Sequence, residues 1–185
     1  MPGETVSHGS GEQTSVDRCW YACYTRSRHE KRVNALLAHK GIESYLPLAP
    51  RVQQWSDRRR TVQWPMFPGY VFGRFSARDL HTVISLPGVS TVVASSGKPV
   101  PIGDDELDNV RRFADALANG GLELELRSYI AEGQWVQVTE GPLEGIRGIV
   151  IERRNRKRVI VGLRAIGQGL EVDVDTRFLK PIAGP

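Results

Sequence analysis

Cysteine is scarce in this sequence: Cys19 and Cys23 are the 2 in 185 residues, too few for a disulfide framework. If 19–24 forms a strand, their Cα atoms lie roughly 13 Å apart at about 3.3 Å per residue. That is beyond the reach of about 7 Å that a disulfide allows. The same geometry disfavours joint metal ligation, and no second Cys or His pair has zinc spacing. Both cysteines therefore read as small hydrophobes. Long apolar runs are missing as well, since none approaches the ~18 residues that span a bilayer. The start, Met1-Pro2-Gly3-Glu4-Thr5, lacks the basic region and apolar stretch of a secretory signal. A cytoplasmic chain without membrane contact is expected. Neither sign of charge dominates: 25 basic against 21 acidic residues leave +4, so any nucleic-acid contact must come from local clusters. There is no P-loop, nucleophile elbow, Gly-rich dinucleotide turn or metal-spaced cluster, and His8, His29, His39 and His81 are scattered. No enzymatic activity, cofactor or metal is expected.

What is present is an ordinary globular composition, 40% hydrophobic and 25% charged. Residues 1–17 have almost no apolar content and should form a flexible tail. The aromatic-rich segment 19–24 reads as a largely buried strand. Over 28–40 the pattern turns helical, with Val33, Leu36, Leu37 and the Lys40 stem on one face and Arg28, Lys31 and Arg32 on the other. Gly41 stands where a C-terminal cap belongs. A strand-like stretch at 42–48 leads into a long polar hairpin over 50–63, whose tip carries Ser56, Asp57, Arg58, Arg59 and Arg60. Segment 70–75 is the next strand, 77–86 a short helix, 90–93 a β-branched run, and 98–102 is held extended by its two prolines. A third helix follows Gly103, with Asp104, Asp105 and Glu106 in its first turn and Leu107, Val110, Ala114 and Leu117 at helical spacing.

That order implies an α+β fold over 18–119, an N-terminal antiparallel sheet with flanking helices. Residues 120–127 read as a linker. From 128 to 185, short strands near 134–139, 148–153, 158–163 and 170–175 alternate with Gly-bearing turns, as in a small C-terminal β-barrel. Closure would help so small a unit by removing exposed sheet edges.

Three stretches together resemble the NusG family of transcription elongation factors. These are Trp20-Tyr21 followed by Arg28-His29-Glu30-Lys31-Arg32-Val33, then Phe67-Pro68-Gly69-Tyr70-Val71, and then Gly133 to Gly148-Ile149-Val150 by way of Gly141-Pro142-Leu143-Glu144-Gly145. The last is similar to the KOW motif of that family's SH3-like barrel, and the first two to its N-terminal (NGN) domain. Arg28 to Arg32, the Trp55-Ser56-Asp57-Arg58 tip and Leu86-Pro87-Gly88-Val89 resemble the specialised UpxY and RfaH-like antiterminators.

The resemblance implies docking on the clamp helices of RNA polymerase through Trp20, Phe67, Pro68 and Tyr70, with Met66 adjacent and His81 and Thr82 as a second contact. His81-Thr82-Val83 partly matches the His-Thr-Thr that RfaH-like proteins aim at the polymerase, and Val83 departs from it. Arg26, Arg28, His29, Lys31, Arg32, Arg58, Arg59 and Arg60 are the candidate contacts to the non-template DNA strand, phosphates positioning the protein without reading sequence. His29 or Trp55 could stack on an exposed base. Ile166 falls near the barrel position that relatives use to engage Rho or a ribosomal small-subunit protein. A monomer is expected. The competing reading is a KOW-bearing RNA-binding or ribosome-associated protein, with the cluster from Arg153 to Arg158 as its contact.

Overall fold

A computed structural model of the chain describes residues 18–54, 59–119, 125–128, 133–153 and 156–184. The expected tail at 1–17 and most of the hairpin tip, 55–58, lie outside the described residues.

Strand β1 (Cys19–Thr25) leads into helix α1 (Glu30–His39), then β2 (Glu43–Tyr45) and the hairpin of β3 (Leu48–Gln54) and β4 (Arg59–Pro65). Next come β5 (Tyr70–Phe75), the short helix α2 (Leu80–Ile84) and β6 (Val89–Val92). Strands β2, β5, β1 and β6 form one antiparallel sheet in the order β2-β5-β1-β6. The hairpin β3-β4 stands as its own two-stranded ribbon, as does the pair β7 (Ala94–Ser95) and β8 (Lys98–Pro99). Helix α3 (Asp104–Ala118) follows.

Period-two alternation divides the four-stranded sheet between two cores. Cys23, Val71 and Phe75 face α1 and α2, meeting Val33, Leu37, Val83 and Leu86. Trp20, Ala22 and Phe72 face the opposite way, meeting Leu107, Val110 and Phe113 of α3. Helices thus cover both faces, α1 and α2 on one and α3 on the other.

Two expectations are corrected here. Lys40 is exposed, not an apolar extension of α1, because the helix stops at His39 and the chain turns away at Gly41, φ +71. In α3 the buried set is Leu107, Val110, Phe113, Ala116 and Leu117, wider than the single stripe expected, and Ala114 is only half-buried. The helix is wide in its apolar face because it packs on two bodies, the sheet and the C-terminal strands. Burying a side chain such as Phe113 is worth about 1.5–3 kcal/mol.

The C-terminal strands are β9 (Glu125–Ser128), β10 (Gln134–Val138), β11 (Arg147–Arg153), β12 (Arg156–Leu163), β13 (Gln168–Asp173) and β14 (Leu179–Pro181). They form one antiparallel sheet in the order β14-β10-β11-β12-β13-β9, wrapped around Val136, Val138, Ile146, Val159, Val161, Leu163 and Leu170. Strand β9 begins inside the stretch expected as a linker, 120–127, and ends at Ser128, pairing with β13 from Glu171↔Glu125 to Gln168↔Ser128. Among the described residues no helix is long and apolar enough to cross a membrane.

Candidate docking and nucleic-acid surfaces

The α3-facing side of the sheet runs from Trp20 through Ala22 to Tyr24 along β1, and from Arg74 through Phe72 to Tyr70 along β5. α3 covers the first end. Its Arg111 guanidinium lies 5.2 Å from the Trp20 ring centre and 5.2 Å from that of Tyr45. Burial pushes the Tyr45 hydroxyl up to about 12, with Arg111 opposing the shift. Trp20 is consequently 2% exposed. The far end escapes this cover: Tyr24 is 45% exposed, and its ring sits 5.3 Å from that of half-buried Tyr70. Tyr70, Tyr24 and Thr91 are consecutive partners in register across β5, β1 and β6, so they form one row at the open end of the sheet.

The turn before β5 shapes this surface. Tyr70 N–H donates to the Phe67 carbonyl at 3.1 Å, Thr25 N–H donates to the Gly69 carbonyl at 2.8 Å, and Gly69 N–H donates to Glu30 Oε1 at 2.8 Å. Gly69 takes φ +85, and a Cβ there would press on the Tyr24 ring at 3.2 Å. The backbone angle favours glycine, and its missing side chain lets the Tyr24 ring lie close over the turn. Pro68 is exposed at the tip of the turn. Burial, and then the neighbouring Tyr24 phenol, raise the Tyr70 hydroxyl above its ordinary value, so it stays a neutral donor and acceptor near neutral pH.

Of the residues expected at the docking surface, Tyr70 and Pro68 meet there. Phe67 and Trp20 do not. Phe67 is fully enclosed and makes an edge-on contact with Phe72 at 5.9 Å; it supports the turn from beneath, as Trp20 supports the sheet. Tyr24 is the aromatic that sequence reasoning passed over. Its signal was its place at the end of the Trp20, Ala22, Tyr24 alternation. His81 and Thr82 are exposed on α2, which packs on the α1 side of the sheet through Val83, so they do not share a face with the tyrosines.

The cations Arg26, Arg28, Lys31 and Arg32 are all exposed around the start of α1. The one carboxylate in that stretch, Glu30, is turned inward at 7% exposure, which leaves the outer surface positive. His29 is half-buried, its Nδ1 2.9 Å from the Ser27 carbonyl oxygen. Gly88 passes close beneath it, since a Cβ there would meet the His29 side chain at 3.1 Å. Arg60 is exposed on β4, Arg59 lies on the same strand, and Arg58 and Trp55 fall outside the described residues.

In the C-terminal sheet, Ile166 lies half-buried in the 3-10 turn Arg164–Ile166 and packs against the shared core. Arg158, expected as an RNA contact on the competing reading, points its guanidinium at Glu171, 3.2 Å away, and at Asp173. Among the described residues no group of His, Cys, Asp and Glu could hold a metal ion.

A family model described as "Transcription termination factor nusG" matches residues 18–111. The chain is 26% identical over 176 residues to the transcription termination/antitermination protein NusG of Thermus thermophilus, covering 84% of this chain and 94% of the relative. It is 25% identical over 173 residues to the protein of the same name in Rickettsia bellii, covering 87% and 88%. Among solved structures, one of Thermotoga maritima NusG aligns at 24% identity over 90% of this chain and 98% of that one, with a TM-score of 0.48.

Proposed function

Because the chain belongs to the NusG family and is a NusG-like transcription termination/antitermination factor, we propose that it docks on the clamp helices of RNA polymerase through the Tyr24–Tyr70 end of its sheet. The observation that carries this reading is the pair of exposed Tyr24 and half-buried Tyr70 beside Pro68, held over a glycine turn at the one end of the face that α3 leaves open. Aromatics supply contact area at low entropic cost, and their hydroxyls serve a polar rim. A helix laid against such a row is a common recognition mode.

With the tyrosines on the polymerase, the cationic surface of Arg26, Arg28, Lys31 and Arg32 holds phosphates of the non-template strand. The 3-10 turn bearing Ile166 offers the C-terminal sheet's contact to Rho or a ribosomal small-subunit protein. The factor works in the cytoplasm as a monomer, in the manner of an operon-specific antiterminator.

Replacing Tyr24 and Tyr70 together by Ala is expected to weaken polymerase binding at least tenfold in a pull-down or anisotropy titration, since truncating central interface aromatics costs about 2 kcal/mol or more. Both are partly exposed, so the thermal transition should remain cooperative. Normal binding by the double variant would sink the proposal.

A further inference from the structure

We infer that Glu30 is a positioning residue for polymerase docking: its buried carboxylate, at the start of α1, fixes the Phe67-Pro68-Gly69-Tyr70 turn against the sheet. The inference rests on the docking reading above and deepens it.

A carboxylate removed from water is costly unless it is hydrogen-bonded. An acid in the first turn of a helix can interact with the dipole while remaining exposed, as its neighbours Lys31 and Arg32 remain exposed. Glu30 instead is 7% exposed and accepts a hydrogen bond at 2.8 Å from Gly69, 39 residues further along the chain. The Gly69 carbonyl is held at 2.8 Å by Thr25 N–H, so the two polar groups of this one residue are tied to two different elements. An unsupported turn could satisfy those groups with water in many arrangements. Held from both sides, it keeps Gly69 beneath the Tyr24 ring and Tyr70 beside it. One helix end therefore carries the exposed cations outward and the anchor of the tyrosine surface inward, which fixes the geometry between the two.

The test uses the full chain with Glu30→Ala, Glu30→Gln and, as a control for destabilisation, Leu37→Ala in the same helix, where Leu37 is fully buried. Gly69 amide exchange by NMR and polymerase affinity are both read. Glu30→Ala should speed Gly69 exchange and lower affinity about tenfold or more, as for loss of a hydrogen bond to a charged group. In Glu30→Gln the amide oxygen still accepts, so protection and affinity should stay within about threefold of the parent. Leu37→Ala should lose thermal stability yet keep its affinity when folded. Unchanged Gly69 exchange in Glu30→Ala, no rescue by Gln, or equal affinity loss in Leu37→Ala would each overturn the inference. The Gly69 exchange result stands whether or not the tyrosines touch polymerase, so failure of the docking reading alone would appear as normal binding by the Tyr24/Tyr70 variant.

Discussion

Arg28 adopts φ 62, a left-handed conformation that costs a residue with a Cβ about 1–2 kcal/mol. It sits in the tight connection between β1 and α1, where His29 N–H donates to the Arg26 carbonyl at 3.1 Å. Glycine would take the same backbone without that penalty. An exposed arginine kept at such a position is better explained by its charge than by the fold. Arg28→Gly is therefore expected to raise unfolding free energy by up to about 1 kcal/mol in a denaturant titration. The same variant should bind a single-stranded oligonucleotide more weakly, with a shallower dependence on salt. Lower stability together with unchanged oligonucleotide affinity would refute both halves. Lys31 and Arg32 were legible in the sequence because helical spacing places them opposite Val33 and Leu37, whereas Arg28 lies before the helix, in the connection from β1. The fate of the aromatics was not legible. Alternation assigns Trp20, Ala22 and Tyr24 to one face but cannot say where along that face a helix from elsewhere in the chain will lie.

Local pattern placed most strands and all three helices. It did not resolve the wide face of α3, because Phe113 and Ala116 meet partners distant in sequence. Nor did it find β9, although Leu122, Leu124 and Leu126 alternate in the sequence with Glu123, Glu125 and Arg127; the strand's partner, β13, lies at least 40 residues further along the chain. The glycines of the C-terminal sheet have more specific causes. In β11, Gly148 stands opposite Val136 on β10, and a Cβ there would collide with the Ile160 carbonyl oxygen and press on Val159 at 2.7 Å. The backbone oxygen cannot yield without disturbing the pairing of β11 with β12. Gly148→Ala should consequently destabilise the C-terminal sheet by about 1–3 kcal/mol, measured by chemical denaturation. A change below about 0.5 kcal/mol would mean that the sheet adjusts freely.

Across the whole molecule, α3 is the shared element. Its inner face completes the core of the four-stranded sheet and reaches the core of the C-terminal strands. At its start Glu106 pairs with Arg164 at 2.6 Å, and Asn109 Oδ1 accepts from Arg147 N–H at 3.2 Å. The turn bearing Ile166 thus sits beside α3, while the tyrosine row opens at the end of the sheet that α3 leaves uncovered. Docking on polymerase through that row can be tested in the assembled elongation complex by placing a photo-crosslinking benzophenone side chain at position 24 of the full chain. The expected result is a crosslink into the clamp-helix coiled coil of the polymerase, lost when Pro68 and Tyr70 are replaced by Ala. A crosslink from position 24 into RNA, or none to polymerase from a complex that still contains the protein, would contradict it.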